Sequence, residues 1–447
     1  MHRIDQHEEH TERGTLPQRD ADTSADRSFC PFASALISDG VRDTVKKPSP
    51  WRTIAAATAL NAPLGSLYAF SVFLRPLEAL LGGTRADLAL VFALASASFS
   101  GGMNLAPSLY RLAPAPVLLL GCAGASALGA ALGATANGLA QLAFGYGVLF
   151  GGGGGAAYIL GQQAVNLAVT SRHGLVNGYL VSLYPAGAMI SAPIFGWALR
   201  EFGVRRTLGG LAVTLVIAGS IGSWLIARSG VTLAAAATGS VPLSDEERRR
   251  PVFWGLWLSF FLAASAGLMV LSQAAGIITS YGGTTAFAVF GTTFVAGTVA
   301  VARVGGGWMV DSLAIPTVTG GAHALSLAGN VALTLWPGPG MSVLALTFVG
   351  LGYGVISGVT AAGVAAYWRR ALYGRIASRL YTAWAAAAVV LPIAAGRLFD
   401  LTQGYNAAVL IAGGANLLGV IVGFTLPQQD NRRSDAKLPE SSSSTIT

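Results

Sequence analysis

The chain has 447 residues, of which 53% are hydrophobic and 11% charged, with a formal net charge of +8. A soluble domain carries about 25% charged residues, so this composition excludes an ordinary soluble fold and points to helices in lipid. Apolar segments run unbroken for some twenty residues, which excludes a barrel of short alternating strands. The basic excess belongs to loops beside a membrane rather than to a nucleic-acid surface.

In chain order, residues 1–50 are polar and charge-rich and are expected to form a disordered cytoplasmic tail. His2, His7 and His10 read there as solvated side chains, not as a metal set. No cleavable signal peptide is expected at this terminus. Twelve spans are predicted, at roughly 52–75, 87–110, 115–134, 138–166, 174–199, 206–228, 252–280, 284–310, 316–337, 341–367, 374–399 and 405–426. The polar stretch 229–250 contains SerAspGluGlu (Ser244 to Glu247), a capping-box pattern, and three arginines. It reads as a cytoplasmic linker between a six-helix bundle at 51–228 and a second at 251–426. Residues 427–447 read as a second disordered cytoplasmic tail. Cys30 and Cys122 fall in a tail and a span and are not expected to pair.

Placing both termini inside puts roughly fifteen of the lysines and arginines that lie near the spans on the cytoplasmic side and six on the other, Arg75, Arg85, Arg200, Arg205, Arg206 and Arg397. That asymmetry predicts cytoplasmic termini in the cell's inner (plasma) membrane. GlyTyrGlyVal occurs at 145–148 and again at 352–355, six spans apart, so both copies run the same way through the bilayer. Parallel repeats of this kind place a binding site between two halves. The expected fold is an all-α membrane protein with twelve transmembrane helices in two six-helix halves. The five glycines from Gly151 to Gly155 lack the Lys-Ser/Thr ending of a phosphate loop and read as a close helix contact.

Ionisable residues are scarce inside the spans. Between Arg250 and Asp311 the only charge is Arg303, eight residues before Asp311, or roughly 12 Å along a helix axis. An arginine near mid-membrane costs about 2.5–3.5 kcal/mol on insertion scales, so it calls for a task. No Asp or Glu occupies a span centre to pair with it. A small organic anion would supply the missing charge through the guanidinium fork; snorkelling or bonding to backbone carbonyls is the competing reading. Candidate neighbours are Tyr68, Tyr158, Gln162, Gln163, Tyr353, Tyr381 and Trp384, of which Tyr381 and Trp384 share one helix face. His323 is the one candidate for proton coupling, against the reading of a packed, hydrogen-bonded histidine. The absence of buried acids disfavours a cation or drug exporter. No nucleophile, metal cluster or cofactor loop supports an enzyme, and no cofactor is expected.

GlySerLeuTyrAlaPheSerValPheLeuArgProLeu (Gly65 to Leu77) resembles the first helix of the oxalate/formate antiporter family, a branch of the major facilitator superfamily related to the monocarboxylate transporters. The likeness continues through Gly145 to Tyr158, ArgHisGlyLeuValAsnGly (Arg172 to Gly178), ArgValGlyGlyGlyTrpMetValAsp (Arg303 to Asp311) and LeuTyrThrAlaTrp (Leu380 to Trp384). It covers nearly all of residues 52–426. It implies alternating-access transport of small carboxylates, with Arg303 on the anion and Tyr68, Tyr158, Tyr381 and Trp384 around it. Where the family's oxalate transporter has a second cation, a helix-11 lysine, this chain has Trp384, which implies a monocarboxylate. The superfamily's loop between helices 2 and 3 is reduced here to Arg111, and its second-half counterpart to Gly307 and Asp311. Arg111 and Asp311 are therefore the gating candidates, and the cytoplasmic charge lock is expected to be weak. The expected function is secondary transport of a monocarboxylate, by proton symport or anion exchange. The alternative is a transport-inactive relative acting as a membrane sensor or scaffold.

Overall fold

The computed structural model describes residues 48–233, 236, 249–271 and 273–429. The tail histidines, Cys30 and the Ser244–Glu247 pattern lie outside the described residues. Among the described residues, nine helices are long and apolar enough to cross a bilayer. One of them, His173–Ala227, has 55 residues, too many for a single crossing. It divides at Gly203, where φ is 74° and ψ 177°. Only glycine adopts that backbone readily, so this residue ends one crossing and starts the next.

The helices are numbered accordingly. In the first half, α1 is Pro50–Leu81, α2 Arg85–Leu109, α3 Ala115–Ala134, α4 Leu139–Ala168, α5 residues 173–202 and α6 residues 204–227. In the second half, α7 is Arg250–Leu271 with a continuation at Ala274–Ser280, and α8 is Thr285–Val310. Then come α9, Ile315–Leu335, and α10, Pro339–Tyr367. The next, α11, is built from Tyr373–Leu380 and Thr382–Thr402, and α12 is Asn406–Thr425. The more polar α9 and the interrupted α11 stand outside the nine apolar helices. The resulting count is compatible with twelve crossings.

Three local departures from regular helix stand out, two of them beside the site. In α1, Pro63 has no N–H to donate, and the chain tightens into a 3-10 stretch over Gly65–Phe73 that carries Tyr68. In α4, Ala143–Phe150 winds as a π-helix, which widens the turn around Tyr146. In α11, the two segments meet at Tyr381. The glycine run behaves as expected of small residues in lipid: Gly151 and Gly155 face the α2 backbone at Ala95 and Phe99, and Gly153 faces α3 at Cys122.

The halves meet along two flanks, α5 against α8 and α2 against α11. A shift of six helices converts one pair into the other, as parallel repeats require. The ends of α4, α8 and α10 and the starts of α5, α9 and α11 lie on the same face as the two described chain ends. On this terminal face Ser49 N donates to the Ser229 carbonyl, and Ile315 N donates to Gln429 Oε1.

Candidate substrate site

Arg303 projects from α8 into the centre of the bundle and is only 7% exposed. Its Nη1 donates to the Val181 carbonyl on α5 at 2.9 Å, and its Nη2 to the Tyr353 hydroxyl on α10 at 3.3 Å. The guanidinium carbon lies 5.6 Å from the Tyr353 ring centroid. Nε is buried without a hydrogen-bond partner. Both acceptors are neutral, and no carboxylate lines the surrounding cavities among the described residues. The arginine thus neither points into lipid nor has an acid of its own, although the carbonyl contact of the competing reading is present.

Two cavities meet at this side chain. The smaller, about 40 Å³, lies toward the terminal face and is lined by Tyr158, Tyr184, Tyr381, Phe99, Phe260, Met103, Val181 and Ser357. The larger, about 400 Å³, runs between α2, α5, α7 and α8 toward the opposite face, past Phe92, Pro185, Leu268 and Thr292. Tyr68, Arg303 and Trp384 line both and form the partition. Around the small cavity the rings form a closed circuit. Tyr68 sits 6.0 Å from Tyr184 and 5.9 Å from Trp384, Phe99 closes the loop at 5.1 Å from Tyr184 and 6.3 Å from Trp384, and Tyr158 extends it, 5.1 Å from Tyr184 and 5.8 Å from Tyr381. Such a wall offers ring faces and edges to an apolar group, and among the described residues of the lining Arg303 is the one formal charge. A site of about 40 Å³ holds a few water-sized groups, the scale of a small anion's headgroup.

The structure brings together Arg303, Tyr68, Tyr158, Tyr353, Tyr381 and Trp384. Gln162 stands behind this lining: it is fully buried and its Oε1 accepts from the Tyr381 hydroxyl at 3.4 Å. Gln163 has a different job, holding the α10–α11 connection by donating to the Arg370 carbonyl at 2.9 Å and accepting from Gly374 N at 2.6 Å.

His323 does not join the site. It is fully buried between α7, α9 and α12 and lines neither cavity. Its Nδ1 lies 3.1 Å from Asn416 Oδ1, which can only accept, so Nδ1 carries the proton. Nε2 then accepts from Ser259 Oγ at 3.1 Å. Both ring nitrogens are satisfied without water or substrate, which is the packed-histidine reading.

The terminal face is closed by polar contacts between the halves. Arg172, at the N-cap of α5, is left-handed (φ 51°) and provides no side-chain cap. The orphan N–H groups of Gly174 and Leu175 are instead capped by Asp311 from the end of α8, at 2.7 and 2.9 Å. A carboxylate on a helix N-terminus typically contributes about 1 kcal/mol. Where a charge lock with its arginines would stand, the contact here is a carboxylate on backbone N–H groups. It is tightened where Gly307 meets the backbone at Gly174 and Gly178, too close for any β-carbon. Asn104 on α2 also donates to the Ser378 carbonyl at 3.2 Å, and Arg370 donates to His173 Nε2 at 3.1 Å. Arg111 lies away from Asp311, on the exposed α2–α3 turn facing residues 231–233.

No family model matches the chain. One relative, the uncharacterized MFS-type transporter YhjX of Escherichia coli (strain K12), is 27% identical over 246 residues, 52% of this chain. The match spans 58% of that relative's length. Among solved structures, the proton:xylose symporter XylE bound to 6-bromo-6-deoxy-D-glucose superposes with a TM-score of 0.66 at 14% identity, covering 85% of this chain and 96% of that one. FucP in the outward conformation gives 0.63 at 14% identity, covering 85% and 99%. The fold is that of the major facilitator superfamily.

Within this facilitator fold the site lies where the two halves face each other at mid-depth. Sequence reasoning missed Tyr184, Phe99, Met103, Phe260 and Ser357 in its lining. For Tyr184 a signal existed: it precedes Pro185 in the middle of a span. The others carry no mark that separates them from ordinary span residues.

Proposed function

We propose that the chain is a secondary active transporter of a small organic anion, a monocarboxylate, working by alternating access with Arg303 as the anion anchor. The observation that carries this reading is a buried guanidinium with one partnerless nitrogen, two neutral acceptors and a cavity on each side. A carboxylate approaching from the larger cavity meets Arg303 and the hydroxyl of Tyr68, which faces the guanidinium. Its apolar end packs against Trp384 and, beyond it, the ring circuit. The likeness of Gly65 to Leu77 and Arg303 to Asp311 to the oxalate/formate antiporter family supports the same substrate class. One cation favours a single negative charge on the cargo.

With cytoplasmic termini in the inner membrane, the closed terminal face is the inside and the larger cavity opens outward. Asp311 is then the inner gate. The cavity linings contain no carboxylate and no imidazole among the described residues. A proton, if one moves, travels on the substrate; anion exchange needs none. Uptake of labelled formate, acetate, lactate, pyruvate and oxalate into proteoliposomes, wild type beside Arg303→Gln, tests the reading. Monocarboxylate uptake that the substitution abolishes is expected. Unchanged uptake in Arg303→Gln would refute the anchor, and the absence of any carboxylate flux in wild type would refute the transport reading.

A further inference from the structure

The acceptor that Arg303 finds on α5 has a specific origin. In an α-helix the carbonyl of residue i receives the N–H of residue i+4. The partner of the Val181 carbonyl would be residue 185, which is proline and has no N–H. Pro185 therefore leaves that carbonyl without its helical donor, at a depth where water is scarce and an unsatisfied carbonyl is costly. Arg303 Nη1 supplies the missing hydrogen bond at 2.9 Å, from the other half of the molecule. Val181 lines the smaller cavity and Pro185 the larger, so both flank the guanidinium.

We propose that Pro185 is a positioning residue for anion recognition: it frees the Val181 carbonyl to act as an internal competitor for Arg303, which an incoming carboxylate must displace. This rests on the reading of Arg303 as the anion anchor. The chemistry favours displacement, because Nη1 bonds more strongly to a carboxylate oxygen than to a neutral carbonyl. The same bond joins α5 to α8, the helices that close the terminal face through Gly178 and Gly307. Displacement by the anion therefore removes one of the ties between the halves at mid-depth. The carbonyl also holds the guanidinium on the partition between the cavities, where a substrate from the larger one meets it first. Arrival of a charge and loosening of the α5–α8 seam become a single exchange of acceptors.

Replacing Pro185 with a residue that has an N–H returns the Val181 carbonyl to its own helix and weakens its claim on Arg303. Two measurements test this on full-length purified protein. The first needs no anion: a double-mutant cycle on the melting temperature of ligand-free protein, with Pro185→Ala and Arg303→Gln singly and together. The expected result is non-additivity, because both substitutions act on one bond. Additive effects would overturn the proposal. The second is binding of formate, acetate, lactate and pyruvate followed by tryptophan fluorescence, since Trp384 lies at the site. Pro185→Ala is expected to bind the preferred anion roughly threefold to tenfold more tightly, with no such gain in the Arg303→Gln background. Unchanged or weaker binding in Pro185→Ala would overturn it. Pro185→Val restores the same N–H with a different side chain and replaces the alanine variant if that one does not fold. If wild type binds none of these anions, the anchor reading fails, while the melting cycle still decides whether Pro185 sets the Arg303–Val181 bond.

Discussion

Two buried basic side chains, Arg303 on α8 and His323 on α9, stand in the same half of the molecule with opposite fates. His323 has a partner for each ring nitrogen, Ser259 and Asn416, and lines neither of the two cavities at Arg303. Arg303 has a spare Nε, two neutral partners and a cavity on either side. Rarity in a membrane span marks both residues equally. What separates them is whether the protein completes their hydrogen bonding or leaves room for another molecule to do so. A satisfied buried group is a structural element; a half-satisfied charge beside a cavity is a candidate binding element.

The comparison can be broken most directly at Arg303. Arg303→Gln should lower monocarboxylate uptake at least a hundredfold in proteoliposomes, and Arg303→Lys should keep the charge but lose the fork and recover only part of it. His323→Gln should instead leave the pH profile of uptake unchanged and act on stability. The mismatched partners at Ser259 or Asn416 should cost about 1–3 kcal/mol, read as a lower melting temperature. A shifted pH profile there would return His323 to the transport mechanism. A smaller effect is expected from Asp311→Asn. It weakens the cap on α5 by about 1 kcal/mol, so labelling from the terminal face of a cysteine introduced at Ser357, in the smaller cavity, should rise several-fold. The smallest belongs to Tyr353→Phe, which removes the second neutral competitor for Arg303 and should tighten anion binding about threefold in a fluorescence titration, with melting little changed.

Much of this was legible in the chain. Long apolar spans, the central polar stretch and the repeated GlyTyrGlyVal pointed to the facilitator fold, and Arg303 declared itself by isolation. The repeat shows where such reading stops. Tyr146, in the first copy, lies in the π-helical stretch stacked on Phe150 at 4.5 Å, a core residue. Tyr353, in the second copy, lies in regular helix and holds Arg303. Identical four-residue strings received different roles because the surrounding helix geometry differs, and that geometry depends on packing rather than on the string. Phe99 and Met103 were hidden for a related reason: span residues of ordinary type become lining only when α2 is set against α11. The contacts of Asp311 at the terminal face were hidden too, because its partners are the backbone N–H groups of Gly174 and Leu175, which no residue-type pattern advertises.

The seam between Gly174, Gly178 and Gly307 is made of bare main chain. At the glycines no side chain interlocks with another, and apart from the Asp311 carboxylate the contact to be parted there is peptide against peptide. Such a joint can be tight when shut and still separate quickly. For the alternating carrier proposed above, such a joint lets the α5–α8 seam open and close without repacking side chains at the glycines themselves.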